Sequence, residues 1–177
     1  MLTQDIIDIA EKIHLMMDVV DFSAALPGIP LAPAEKNNGA PDGGTAGHNR
    51  VFGNHRISGE GGAGGHCFFT FDSGKLTFFE INAQLDYSES SYMMLSDLFA
   101  RLLPVLNEIH GAGKTVRPLM EYREFNRIPL PTDGYPCDRY VVGAMHRWEH
   151  GRDGIDLSFA LMHPGYLFFQ LRAIHLA

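Results

Sequence analysis

Residues 67–110 constrain the fold more than any other part of the chain. Two runs of aromatic and apolar residues, Cys67–Phe71 and Leu76–Ile81, flank residues 72–75, which read Asp-Ser-Gly-Lys. Aromatic and β-branched residues favour strands, and Asp, Ser and Gly favour a tight reversal between them. The stretch therefore predicts an antiparallel hairpin.

The segment after this hairpin changes its period. A polar stretch at residues 88–91 is followed by large apolar residues that recur every three or four positions: Leu95, Leu98, Leu102, Val105 or Leu106, and Ile109. That spacing is typical of one face of an amphipathic helix. We expect a helix that lies across the hairpin, runs to His110 and ends with Gly111 as its C-terminal cap residue.

The start of the chain shows a second helical pattern, over about residues 3–22. Thr3 or Asp5 can cap it. Its apolar face comprises Ile6, Ile9, Ala10, Ile13, Met17 and Val20.

The next segment, about residues 23–50, has the composition of an extended arm. It carries four prolines and a Gly/Asn-rich run at residues 37–47. Such a sequence cannot hold a helix and has few large apolar groups to bury. We expect the arm to be mobile in an isolated chain and to be held by a neighbouring subunit.

The remaining strands follow the second helix. A short strand is expected at residues 49–52, a long edge strand interrupted by Pro118 at residues 116–127, and a meander at residues 140–149, 155–162 and 166–176. The predicted fold class is α+β: one twisted antiparallel sheet of about five to seven strands, with two helices packed on one face and a long extended arm. At 177 residues the chain is expected to be one domain, with its sheet-and-helix core at about residues 51–177.

Composition narrows the classes of function. The net charge of −7 argues against broad nucleic-acid binding, because the average surface repels phosphate. Two cysteines do not make a disulfide framework. The first residues lack a basic segment of the signal-peptide kind, and no apolar run reaches membrane-spanning length. A cytoplasmic protein without membrane contact is expected.

The sharpest chemical motif is His146-Arg-Trp-Glu149-His150, which matches the H-x-x-E-H pattern of inverted zinc peptidases. In those enzymes the three ligands share one helical face. Here residues 141–148 alternate like a strand, which places His146 and Glu149 on opposite faces. A metal-dependent hydrolase using these three residues is kept as an alternative.

Other candidate sites have weak patterns. A metal site assembled from His66, Cys67, His110, His146 or His163 lacks tight ligand spacing, so ordinary histidines are favoured. Residues 59–64 satisfy G-x-G-x-x-G and residues 111–115 imitate the end of a phosphate-binding loop, but neither lies between a strand and a helix. Cys67 and Cys137 have no visible activating group, and the carboxylate pairs Glu121/Glu124 and Asp153/Asp156 are expected to be solvated. No catalytic residue, cofactor-binding residue or metal ligand is assigned.

The order of elements and one stretch of sequence resemble the tail-terminator (tail-completion) proteins of tailed bacteriophages. Those proteins have an N-terminal helix, a long arm, a hairpin, a helix and a closing antiparallel hairpin. In residues 76–110 a strand leads through an acidic Ser-Glu bridge into a helix with the pattern Leu-x-x-x-Leu-x-Pro-Val-x-x-x-Ile. A second similarity lies in the last hairpin, at residues 148–161, whereas the strand at 166–176 is additional to the shortest members.

The resemblance implies a non-enzymatic structural subunit of a symmetric assembly, in the virion or the host cytoplasm. The chain would form a homo-oligomeric ring with neighbouring structural proteins, its arm over the next subunit. Acidic residues would line a lumen through which DNA passes without specific binding. The other alternative is a small acidic protein-binding module, a chaperone or an inhibitor, that acts through the sheet edge near residues 116–127.

Overall fold

A computed structural model describes residues 2–33, 50–58, 64–128, 140–162 and 165–176. Its strands are β1 Leu31–Pro33, β2 Val51–Ser58, β3 Gly64–Asp72, β4 Lys75–Asp86, β5 Lys114–Arg117, β6 Tyr140–His150, β7 Asp153–Met162 and β8 Tyr166–His175. They form one antiparallel sheet in the order β1-β2-β3-β4-β8-β7-β6-β5. The predicted range of five to seven strands is therefore wrong, because β1 adds an edge strand that was not predicted.

The described helices are α1 Leu2–Ala10, α2 Val19–Ala25, α3 Glu89–His110 and α4 Tyr122–Phe125. The prediction of two helices is also wrong. The α3 side chains Tyr92 and Phe99 lie over β7, with ring centroids 5.4 and 6.1 Å from that of Phe159. Contacts between aromatic rings on the helices and the inward residues of the strands place the hydrophobic core on this face of the sheet.

The central hairpin is confirmed. β3 and β4 pair in antiparallel register and are joined by Ser73 and Gly74, whose φ angles are +52° and +80°. Two consecutive positive φ angles are those of a two-residue turn whose twist matches the strands, and Gly at the second position adopts this conformation at little cost.

Helix α3 is confirmed over the predicted range. At the start of the helix, the hydroxyl oxygen of Ser88 accepts a hydrogen bond from the backbone N–H of Ser91, at 3.1 Å. At its end Gly111 has φ +75°, a conformation that suits glycine. The buried side of the helix carries Tyr92, Leu95, Leu98, Phe99, Leu102 and Leu106.

The single helix predicted over residues 3–22 is two helices. Between them the chain turns at Met16, which has φ +66°, and hydrogen-bonds to the start of β4. The backbone N–H of Met16 donates to Leu76 O, and that of Leu76 donates to Met17 O, at 2.8 and 2.9 Å. These tertiary hydrogen bonds replace the helical ones, while Ile13 and Met17 stay buried, so the apolar pattern survives the break.

The first part of the arm predicted over residues 23–50 is not an extended arm. Residues 19–25 form α2, and Leu31–Pro33 form β1, which pairs with Val51–Gly53 of β2. This part of the predicted arm therefore folds on its own molecule. Residues 34–49 lie outside the described residues, as do residues 59–63.

The edge strand predicted over residues 116–127 is present as β5, but its predicted length is wrong. β5 ends at Arg117, and residues 122–125 form α4. Pro118 has no N–H to donate to a ladder, which explains the end of the strand. Phe125 then turns inward, with its ring centroid 4.7 Å from that of Tyr92. Burial of this one aromatic side chain on α3 favours a helical turn over a continued edge strand.

Replacing Gly143 with alanine should destabilise the protein by about 1–3 kcal/mol, because the new methyl group would overlap the ring of Phe159. Gly28→Ala is the matched control, since a Cβ there meets nothing within 4 Å. Urea unfolding measures both variants. Equal stabilities would contradict the close approach of β6 to Phe159.

Candidate functional site

The face of the sheet opposite the helices is the candidate site. Among the described residues no helix or strand packs on this open face. Large side chains lie on it at the surface, including Phe52, Phe68, Met162 and Tyr166. The register places outward side chains of adjacent strands in rows that cross the sheet.

One row carries charges that alternate in sign. Glu80 on β4 lies beside Arg172 on β8, Arg172 lies beside Asp156 on β7, and Asp156 lies beside Arg147 on β6. We call these four residues the charged row. Their order across the sheet is negative, positive, negative, positive.

One pair of the charged row is closed by hydrogen bonds. Arg147 donates from Nε and Nη2 to the two carboxylate oxygens of Asp156, at 2.6 and 3.1 Å. The bonds to Asp156 and its charge raise the pKa of Arg147 above its usual value. The guanidinium also lies 3.9 Å from Glu149 Oε1. The pair is half-exposed, so it contributes at most about 1 kcal/mol to stability.

The other two charges of the row have no such partner. The guanidinium of Arg172 lies over the ring of Phe78, 5.6 Å from its centroid, and Glu80 accepts a hydrogen bond from Asn82 at 2.9 Å. Neither Arg172 nor Glu80 forms an ion pair within 4.0 Å to any residue that the structure describes. Within the described part of the chain, these two opposite charges are thus not neutralised by an ion pair.

The relief of the open face is uneven. The outward residues of β7 at its centre are small: Gly154, Asp156, Ser158 and Ala160 form what we call the β7 trough. Opposite them on β8 stand larger side chains, Ile174, Arg172, Gln170 and Phe168, which form the β8 ridge. Two depressions, of about 260 and 250 Å³, follow the trough on either side of Asp156.

The residues of the predicted zinc motif are not brought together. β6 is a strand, so His146 points into the core and is 5% exposed, whereas the Glu149 side chain is on the open face and 74% exposed. This placement confirms the prediction that the two lie on opposite faces. Within the described ranges, no group of three or more His, Cys, Asp or Glu side chains has the geometry to hold a metal ion.

His146 is a core histidine. Its Nδ1 lies 3.2 Å from Thr115 Oγ1, its ring centroid is 4.5 Å from that of Trp148, and its Nε2 has no hydrogen-bond partner among the described residues. Burial lowers the pKa of His146 below the ordinary value of 6.5. The ring is therefore neutral at pH 7 and serves packing.

The remaining candidates are separated as well. His66 is exposed on the open face and Cys67 is buried in the core, where burial raises the pKa of its thiol to about 12. Residues 111–115 lead from a helix into a strand, the reverse of a phosphate-binding loop. Cys137, His163 and the glycine run at residues 59–63 lie outside the described residues.

The predicted acidic pairs form no shared site. Glu121 lies directly before α4, and no side-chain hydrogen bond caps the helix there. Asp153 is 2.6 Å from His175 Nδ1, while Asp156 pairs with Arg147. Asp153 and Asp156 keep about a third of their side-chain surface exposed, and each lies beside a basic side chain.

Sequence reasoning missed the charged row. Each strand that contributes to it was predicted apart from the others, and alternation along a strand says which residues share a face. It does not say which strands are neighbours. Pairing of β4 with β8 and of β7 with β6 sets the order of charges. The signal in the sequence that could have indicated the row was the outward position of Asp156 and Arg172 on their strands.

Comparison with protein-family models, with curated proteins and with solved structures finds no match to this chain. Of the helices in the described residues, none has both the length and the apolar character needed to cross a lipid bilayer.

Acid should destabilise the fold through His146. Because the pKa of His146 is lower in the folded chain than in the unfolded one, the unfolded state takes up the proton first as the pH falls. Its contribution to stability is present above about pH 6.5 and is lost below it. Urea unfolding at pH 7.5 and pH 5.5 should show a smaller acid-induced loss in His146→Gln than in the control His66→Gln. Equal losses would contradict the burial of His146.

Cys67 should resist alkylation in the native protein, because its thiol is buried and its pKa is raised to about 12. In a Cys137→Ala variant, a thiol reagent at pH 8 should react only after denaturant is added. A Cys67→Ala variant gives the background signal. Rapid reaction of the native Cys137→Ala protein would contradict the position of Cys67 in the core.

Proposed function

We propose that this protein is a non-enzymatic structural subunit of a symmetric assembly, and that it contacts neighbouring chains through the open face. The observation that carries the proposal is one face of an eight-stranded sheet on which no described helix or strand packs. That face has exposed aromatic side chains and two charges, Glu80 and Arg172, that form no ion pair with any described residue. Surfaces that combine exposed apolar side chains with a polar surround are typical of protein–protein contacts.

The most concrete form of the proposal is a ring subunit of the tail-terminator kind, in a virion or the host cytoplasm. The order of elements supports it: an N-terminal helical segment, a hairpin, the long helix α3, then closing antiparallel strands. The arm that would reach a neighbour is reduced to residues 34–49, since Leu31–Pro33 pair within the chain. The net charge of −7 suits a lumen that lets DNA pass without binding it.

A small protein-binding module that adds a partner strand to an edge is the second candidate. All four residues of β5 are exposed at the edge of the sheet. The strand is short and carries Lys114 and Arg117, features that discourage strand addition. At the other edge β1 includes Pro33, which cannot donate a hydrogen bond. These edges favour the open face as the main contact surface.

The proposed subunit should associate with itself in solution. Light scattering and native mass spectrometry over a hundredfold range of concentration should show a defined oligomer or a concentration-dependent equilibrium, because burial of the open face removes exposed apolar area from water. A strict monomer over the whole range would contradict the homo-oligomer and favour the binding module.

Deleting residues 36–47 tests whether this segment contacts a neighbouring subunit. The deletion starts after β1, because Ala32 and Pro33 pair with Phe52 and Val51. If these residues reach a neighbouring subunit, the oligomer should weaken while the thermal unfolding temperature stays unchanged. Equal loss of both would place the segment in the fold of the single chain.

A further inference from the structure

The charged row and the surface shape of the open face share one property. When a second copy is turned end for end, its charges and its surface shape are complementary to those of the first. The row reads negative, positive, negative, positive from Glu80 to Arg147, so a copy turned end for end presents the opposite sign at each position. A second copy can supply this reversed row without any change of sequence.

We infer that the open face binds the open face of a second copy of this chain, around a twofold axis that runs parallel to the strands between β7 and β8. Such an axis places β8 of each copy over β7 of the other. The inference rests on the proposed function, since it takes the open face as the contact surface, and it adds the partner and the register. A twofold contact joins two copies, so a ring would be closed by a second contact elsewhere on the chain.

The charges meet their opposites under this axis. Arg172 faces Asp156 of the second copy, and Glu80 faces Arg147 of the second copy. Both charges that have no ion pair among the described residues of one chain therefore gain one. Asp156 stays bonded to Arg147 at 2.6 Å and receives a second guanidinium. Charges that lose water in a contact need such pairing, because an unpaired buried charge is strongly destabilising.

The shapes fit the same register. On the rows beside the charged one, Ile174 faces Gly154 of the second copy and Phe168 faces Ala160 of the second copy. Ile174 and Phe168 of the β8 ridge thus each enter a depression of the β7 trough, and Gln170 faces Ser158 between them. The same axis that pairs the charges also matches large side chains with small ones.

A twofold axis perpendicular to the strands does not work. If that axis passes through the row of Gln170 and Ser158, each strand lies over the same strand of the second copy. Arg172 then faces Phe168 of the second copy, and Asp156 faces Ala160 of the second copy. Arg172 would then lose water without an ion-pair partner and Asp156 would keep only Arg147, so this axis pairs neither charge across the contact. Of these two axes, the charge pattern therefore favours the one parallel to the strands.

The area suffices for a specific contact. Four strands spaced ~4.8 Å apart, each with ~10 residues at a rise of ~3.3 Å, cover roughly 630 Å² on each copy. The total of about 1,260 Å² falls at the lower end of the range for stable, specific interfaces. Two twisted sheets that pack face to face with strands nearly aligned are a common arrangement, ~10 Å apart.

Reversal of single charges tests the register. Arg172→Asp alone sets two carboxylates against each other at both symmetric positions, and Asp156→Arg alone sets two guanidinium groups against each other. Each variant alone should self-associate at least about tenfold more weakly than the wild type, measured by analytical ultracentrifugation. An equimolar mixture should restore association, because position 172 of one variant then faces position 156 of the other with opposite charge.

Native mass spectrometry of the mixture should show a 1:1 complex of the two variants in excess over either self-complex. Circular dichroism and urea unfolding establish that each variant is folded, since Asp156→Arg also removes the bond to Arg147. A second pair of variants, a test and its control, changes side-chain size and keeps the bond between Arg147 and Asp156. Ala160→Arg fills the β7 trough and should abolish association. Its control Asn54→Arg, on β2 beyond the contact, should not.

The outcomes separate the two proposals. If the wild type forms oligomers that none of these substitutions weakens, the contact lies elsewhere. The register and the open face as contact surface are then overturned, while a symmetric assembly through another surface stands. If both charge variants dissociate but their mixture does not recover, the twofold register is overturned. A wild type that stays monomeric overturns both.

Discussion

The pairing of β4 with β8 is the contact on which the rest of the structure depends. It joins two meanders, one before α3 and one after it, into a single sheet. The inward residues of both meanders then share one core under α3. Without this pairing each half would expose a strand edge, and the helices would not pack on one continuous sheet.

The two faces of the sheet have different chemistry because alternation is maintained along most of each long strand, with register shifts at Val142/Ala144 and Thr70/Phe71. On β7 the residues Ile155, Leu157 and Phe159 are buried, while their neighbours face outward. Apart from His146, the buried inward positions that the structure describes are apolar, because the helices cover them. Outward positions combine charges, amides and aromatic rings, a mixture that is stable in water and that another protein surface can also satisfy.

The end of α3 is connected to β6 by one side chain. Trp148 donates from its indole N–H to both Asn107 Oδ1 and Gly111 O, each at 3.0 Å. This contact fixes the inward side of β6 and leaves His146 in the core beside it, so the zinc-peptidase motif is divided between the faces. A sequence pattern of metal ligands has chemical meaning only on an element whose period brings the ligands together.

The sequence alone determined the central hairpin, α3 and the last three strands, because their periodicity and turn residues are local properties. The break at Met16 and the helical turn before Phe125 were decided by tertiary contacts, namely hydrogen bonds to Leu76 and burial against Tyr92. The charged row belongs to the same class. Its order depends on strands distant in sequence, and pairing between them is fixed by packing of the whole sheet, which no local pattern records.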